Sequence, residues 1–514
     1  MRKNGIGFLS LSLLLLLTGC VNGGSSSWDS IAPLSSPSLS EDISLDGGSL
    51  LPQPSDTKQV TTTYGTLEGS LNNNVYEFLG VPYGEVRERF VKGSAPSSWT
   101  GVRSATRYGA TSPQQGSDGD NNCLNLNLWT PSTRDNKKRA VMVWLHGGGF
   151  SSGDANSSSY DGEALARSQD VVVIGVNHRL NAFGFLDLSA YSDKYADSAN
   201  VGIRDIELAL DWIKANVSYF GGDPDNITLF GQSGGGAKVL ALMSAPSAKG
   251  KFQKGIVQSG AIETVGVVFN TKAESERIAQ LTLANLNISQ ENIEEIQKVS
   301  VSSLLAATSS ALARTATEFQ IPAPLSSGYQ MEFQPVVDGS YITSNPVLDE
   351  GFAEPGKDVS LLIGSNLNEW TTWYPNDVTV TAEITTAIRS AYPNENVTAS
   401  HIDTLIRLPM LKIMSHKADQ EGGKVYSYVF TKGSSYHGAE IPYVFDHSSD
   451  RLASAISEAW ANFAKNGTPS PSLLPTWGEY TRANGATMIL DDVSYLTYHH
   501  DQTLMNLLKP GYSY

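Results

Sequence analysis

Ser233 stands in Gly231-Gln232-Ser233-Gly234-Gly235, a G-x-S-x-G pattern. A serine hydroxyl becomes a useful nucleophile only where a base takes its proton and donors receive the charge it creates. The pattern has the context that its mechanics require. The β-branched run Ile227–Phe230 predicts a strand before it, and Ala237-Lys238-Val239-Leu240-Ala241-Leu242 suits a helix after it. A sharp strand–turn–helix corner of this kind lifts the hydroxyl to the carboxyl end of the strand, and the flanking glycines let neighbouring backbone pass close by. A second glycine cluster, His146-Gly147-Gly148-Gly149-Phe150, follows directly on the apolar run Val141–Leu145. Consecutive glycines allow backbone N–H groups to turn into a pocket, so this loop is the expected source of donors for an oxyanion formed at Ser233.

Elements must hold these loops in place. Strands are expected at Val141–Leu145, Val171–Val176, Ile227–Phe230, Gly255–Val257, Val359–Ile363 and Val425–Phe430. These runs alternate little, as strands buried on both faces of a largely parallel sheet do. Between them, Val201–Val217 carries apolar residues at Ile206, Leu208, Leu210, Ile213 and Val217, an amphipathic helical spacing. The fold class expected is α/β, a doubly wound sheet with helices on both faces.

With these motifs in order, the chain resembles the type-B carboxylesterases, the α/β-hydrolase family that includes cholinesterases and several fungal lipases. The likeness runs from about Tyr64 to beyond Trp477. It takes in Phe78-Leu79-Gly80-Val81-Pro82-Tyr83, the stretch Asn122–Trp129, Asn200-Val201-Gly202-Ile203-Arg204-Asp205, Phe220-Gly221-Gly222-Asp223-Pro224, Gln258-Ser259-Gly260 and Trp460–Pro469. The resemblance implies a large, mostly parallel α/β-hydrolase sheet and a triad in the chain order Ser…acid…His. Glu369 in Gly364-Ser365-Asn366-Leu367-Asn368-Glu369 is similar to the glutamate of the family's G-x-N-x-x-E loop. His437 opens His437-Gly438-Ala439-Glu440-Ile441-Pro442-Tyr443-Val444-Phe445, similar to the family's H-G-x-E segment. The implied catalytic set is therefore Ser233, Glu369 and His437, with the N–H groups of Gly148, Gly149 and Gly234 as oxyanion hole. His447 is a rival base ten residues on, but it lacks the loop context. His499-His500 beside Asp501 suggests a metal, yet no third ligand has suitable spacing, so neither metal nor other cofactor is expected.

Three departures bear on the substrate. Gln232 and Gly234 flank the serine where the family usually has Glu and Ala. Ser112 stands where many members place a cysteine that pairs with the counterpart of Cys123. The segment from Gln114 to Asn122 is short and holds no aromatic residue, so the ring face that would bind a quaternary ammonium by cation–π attraction is missing there. These changes favour an open, general ester hydrolase over a cholinesterase. A lipase or an esterase dedicated to one natural ester is the alternative within the same fold, and a non-catalytic adhesion or binding protein is the alternative outside catalysis. The presence of Ser233, Glu369 and His437 together favours an enzyme.

The rest of the chain bounds partners and location. Its 514 residues carry 36 Lys and Arg against 52 Asp and Glu, a formal charge of −16. So acidic a surface repels a phosphate backbone, and the one basic cluster is Lys137-Lys138-Arg139, so no nucleic-acid partner is expected. Arg2 and Lys3 precede an apolar stretch ending Leu17-Thr18-Gly19-Cys20, which resembles a bacterial lipoprotein signal: removal of residues 1–19 and lipidation of Cys20. Residues 20–57, rich in Ser, Gly and Pro, read as a flexible tether. Residues 58–514 read as the α/β-hydrolase catalytic domain. The expected location is outside the cytoplasm, lipid-anchored to a bacterial membrane, with membrane contact through that terminus only. Oligomeric state and natural ester are not legible.

Overall fold

The computed structural model describes residues 58–133 and 135–514, and Lys58–Tyr514 forms one compact unit. The lipidation and tether expectations on residues 1–57 lie outside the described residues.

An eleven-stranded sheet runs through the unit. In chain order its strands are β1 (Ser70–Asn72), β2 (Val75–Pro82), β3 (Asn125–Thr130), β4 (Arg139–Leu145), β5 (Val172–Val176) and β6 (Gly222–Gln232). They continue with β7 (Lys254–Gln258), β8 (Ser360–Asn366), β9 (Val425–Phe430), β10 (Ala486–Leu490) and β11 (Tyr495–Tyr498). Across the sheet the order is β11-β10-β9-β8-β7-β6-β4-β5-β3-β2-β1. From β5 through β10 every neighbouring pair is parallel, whereas β1, β2, β3 and β11 pair antiparallel at the two margins. The six strands expected from sequence all lie in the parallel block. The margins escaped notice because their signals are weak: β2 contains Gly80 and Pro82 and bulges between Phe78 and Val81, and β11 is half-exposed.

Because side chains alternate along a strand, one sheet feeds two cores. Val141, Val143 and Leu145 of β4 point to one apolar cluster, while Met142 and Trp144 point to the other. The first is closed by α1 (Val201–Asn216) through Ile206, Leu210 and Ile213. The second is closed by Arg451–Asn466 through Ile456, Trp460 and Phe463. Burying each such Leu, Ile or Val stabilises the fold by about 1.5–3 kcal/mol. Both faces of the central strands are thus dry, which explains their unbroken apolar sequence.

Register then brings chemistry to one edge. Leu145 pairs with Gly231, Gln232 with Gln258, Gln258 with Gly364, and Asn366 with Phe430. Four parallel strands and β4 therefore end at nearly the same level, and the loops that leave them face one another at the carboxyl end of the sheet, where open α/β sheets place their sites. The basic cluster is a structural feature: Arg139 is buried, with Nε on Asp170 at 2.6 Å and Nη1 on Asp135 at 2.7 Å.

Candidate active site

Ser233 occupies the turn between β6 and α2 (Gly234–Met243), with φ 56° and ψ −130°, a left-handed conformation that a side chain rarely adopts. Close packing enforces it. A Cβ on Gly235 would lie 1.9 Å from the Leu145 carbonyl oxygen, and one on Gly231 would lie 2.5 Å from the Gly235 carbonyl carbon. The Ser233 N–H is tied to the Gln258 carbonyl (2.8 Å), and its own carbonyl accepts from Gly236 (2.9 Å). The side chain remains partly open to solvent.

The loops after β8 and β9 meet beside this turn. Glu369 is fully buried, and its Oε2 lies 2.6 Å from His437 Nδ1. Its Oε1 accepts from the Ser259 hydroxyl at 2.6 Å and from the Asn366 N–H at 2.7 Å. Backbone bonds Leu367 N–H to Phe430 and His437 N–H to Glu369 lace the two loops together. The ring of Trp370 lies 4.6 Å from the His437 ring. Two further carboxyls share this buried region. Burial, then the charge of Glu369, pushes Asp403 up to about 7, and the same two causes raise Glu440, which accepts from Gln258 and Asn366. Raising these neighbours favours their neutral forms.

The other imidazole nitrogen meets Gln232. Its Nε2 amide donates to His437 Nε2 at 3.1 Å, so that nitrogen is an acceptor and the ring proton sits on Nδ1, toward Glu369. The structure therefore brings Glu369 and His437 together and places Gln232, rather than the Ser233 hydroxyl, in hydrogen-bond contact with the imidazole.

The glycine loop lies across the elbow. Gly148 and Gly149 have φ of 86° and 61°, and their N–H groups, with that of Gly234, have no protein acceptor among the described residues. A Cβ on Gly234 would sit 2.2 Å from the Gly149 carbonyl oxygen, which accounts for glycine where the family usually has alanine. Lys238, fully buried in α2, donates from Nζ to the carbonyls of His146 (2.8 Å) and Gly149 (2.9 Å). Glu332 also reaches this loop, its Oε2 3.0 Å from the point a Cβ on Gly149 would occupy; burial raises its carboxyl.

The remaining candidates lie elsewhere. His447 Nε2 bonds the Asp161 carbonyl at 2.9 Å, and His499 Nε2 bonds that of Ala483 at 3.0 Å. His500 is buried against the Tyr392 ring and is pushed down to about 4, chiefly by burial. No group of three His, Cys, Asp or Glu suited to a metal occurs among the described residues. Cys123 is free and buried, and burial pushes its thiol up to about 12. Sequence reading did not single out Ser259, Trp370, Lys238 or Glu332. Ser259 alone carried a signal, lying within the matched segment Gln258-Ser259-Gly260.

A serine at a strained elbow, a buried carboxyl on an imidazole and a loop of free glycine amides thus share one edge of the sheet. The chain matches the carboxylesterase family over residues 56–395 and again over 383–503. It belongs to that family. It is 31% identical to the para-nitrobenzyl esterase of Bacillus subtilis (strain 168), over 86% of this chain and 96% of that one. It is 28% identical to a phenmedipham hydrolase of Pseudarthrobacter oxydans, over 84% and 94%. Among solved structures, an esterase from Clostridium hathewayi that can hydrolyze aliphatic aromatic polyesters superposes with a TM-score of 0.78 at 31% identity, covering 88% of this chain and 97% of that one. A Geobacillus stearothermophilus carboxylesterase gives 0.71 at 29% identity, covering 87% and 99%. The protein is a carboxylesterase of α/β-hydrolase fold.

Proposed function

We propose that this carboxylesterase cleaves esters through an acyl-enzyme on Ser233. His437 takes the hydroxyl proton as Oγ attacks the ester carbonyl, and Glu369 holds the imidazole with its proton on Nδ1 and stabilises the charged ring that results. The N–H groups of Gly148, Gly149 and Gly234 receive the oxyanion. His437 then protonates the departing alcohol, and water releases the acyl group by the same steps in reverse. The observation that carries this reading is the 2.6 Å bond between Glu369 and His437 Nδ1, set beside an elbow serine. In the resting arrangement the Nε2 lone pair is engaged by Gln232; the Ser233 hydroxyl, one residue along the same turn, takes that place when an ester enters.

Ser233→Ala is expected to lower kcat on a short-chain nitrophenyl ester by roughly 10⁵-fold or more with an unchanged melting temperature. Residual activity within about tenfold of the wild type would remove the assignment. A fluorophosphonate probe should label wild type and not the variant.

The neutral Gln232, together with the non-aromatic 114–122 segment, supports an uncharged ester substrate over a choline ester. For location, the Leu17-Thr18-Gly19-Cys20 stretch supports a lipid anchor on Cys20. Cys20→Ser is then expected to move activity from the membrane fraction to the soluble fraction of the producing cell, and an unchanged distribution would refute the anchor.

A further inference from the structure

Lys238 is unusual in three respects. It is fully buried, it has no carboxylate partner among the described residues, and both of its hydrogen bonds go to main-chain carbonyls of one loop. A buried ammonium without a counter-ion is costly and persists where its charge or its bonds serve a purpose. Those two carbonyls, of His146 and Gly149, bracket the N–H groups of Gly148 and Gly149. Gly234 and Lys238 are four residues apart in α2 and so share a helix face. That face receives the loop: Gly234 gives the Gly149 carbonyl room to approach, and Lys238 ties it down.

We propose that Lys238 is a positioning residue of the oxyanion hole, clamping both ends of the His146–Gly149 loop and holding a positive charge behind the amides that meet the oxyanion. The inference rests on the reading of Ser233 and these glycine amides as the reacting apparatus. The surroundings leave the charge on Lys238 unopposed. His146 and His178 stack at 5.0 Å beside it, and both are pushed well down, first by burial and then by the lysine charge, so both are neutral. The Arg179 charge also lowers His178, the Phe150 ring lies 5.5 Å from Nζ, and Glu332 Oε2 lies 3.0 Å from the point a Cβ on Gly149 would occupy, with no ion pair to Lys238. Burial pushes Lys238 itself down to about 7, so its charge is lost on the alkaline side of neutrality.

The test compares wild type with Lys238→Met, which keeps bulk and loses both charge and donors, and Lys238→Gln, which keeps a donor and loses charge. At pH 6.5, Lys238→Met should lower kcat on a nitrophenyl ester by about 100-fold, the loss typical of one oxyanion donor, with KM changed less than threefold. Affinity for a trifluoromethyl ketone, which forms an oxyanion on Ser233, should fall in parallel, while affinity for the matching methyl ketone stays constant. Lys238→Gln should fall between wild type and Lys238→Met. In wild type, trifluoromethyl ketone affinity should decline as pH rises above neutrality, a limb absent from both variants; this measurement stands even if Lys238→Met does not fold. Unchanged kcat and ketone affinity in the variants, equal losses for both ketones, or no alkaline limb in wild type would overturn the proposal. Fluorophosphonate labelling of wild-type Ser233 separates that result from failure of the triad reading, which alone abolishes labelling.

Discussion

Gln232 and His437 show how one side chain changes the electrostatics of a site. An amide beside the imidazole carries no charge, and in the resting state it donates to the Nε2 lone pair that accepts a proton in the proposed mechanism. A carboxylate at this point would instead favour the protonated ring. Gln232→Glu is therefore expected to move the acid limb of the kcat/KM profile to higher pH by about one unit, because a base held in its charged form needs less acid to stay protonated. The check is kcat/KM on one neutral nitrophenyl ester across pH 5–9; an unmoved limb would mean that residue 232 does not sense the ring charge. Ser259 works through Glu369 in a different way. Its 2.6 Å bond to Oε1, with the Asn366 N–H, fixes the carboxylate so that Oε2 alone is presented to the ring.

At the scale of elements, the elbow is a junction where backbone replaces side chain. β6, α2 and the end of β4 approach so closely that Gly235 admits no Cβ, the nearest obstacle being the rigid carbonyl of Leu145 at 1.9 Å. Gly235→Ala is expected to destabilise the fold by about 3 kcal/mol or more and to abolish activity, read by denaturant unfolding and turnover together. Wild-type stability in that variant would show the junction to be looser than its packing implies. This element was legible in sequence because its signal is local: an apolar strand, a G-x-S-x-G turn and a helix follow one another within some fifteen residues. Glu369 and His437 were found through loop motifs that end two later strands. The contacts of Gln232 with His437 and of Lys238 with His146 join residues 205 and 92 positions apart, and no local pattern encodes such a meeting. Glu332 was hidden for another reason. It belongs to a stretch without a motif of its own, where the chain folds as two packed helices, Lys272–Asn285 and Val301–Phe319, before Glu332 reaches Gly149.

For the whole molecule, buried ion pairs tie distant segments to the sheet. Arg179 grips Asp205 through Nε and Nη2, both at 2.7 Å, and Arg407 meets Asp501 at 2.7 Å, joining the helix Arg407–Asp419 to the C-terminal segment. Burial raises the Asp501 carboxyl, but Arg407 outweighs it and holds the group well below the usual carboxylate range. A carboxyl depressed in the folded state stabilises fully above its unfolded pKa of about 3.9 and loses that contribution as pH falls toward its folded value. Stability should thus drop steeply below about pH 4. Asp501→Asn should lower stability at pH 7 by about 3–5 kcal/mol and flatten that acid slope; equal slopes in the two proteins would refute the role. All this rigidity serves one edge of the sheet, where the account stands or falls on a covalent step. Rapid acid quenching of wild type during turnover of a nitrophenyl butyrate, followed by peptide mass analysis, tests it most directly. The account predicts a butyryl mass on the peptide that carries Ser233, lost in Ser233→Ala. Turnover with no acyl mass on that peptide, or with the mass on another side chain, would contradict it.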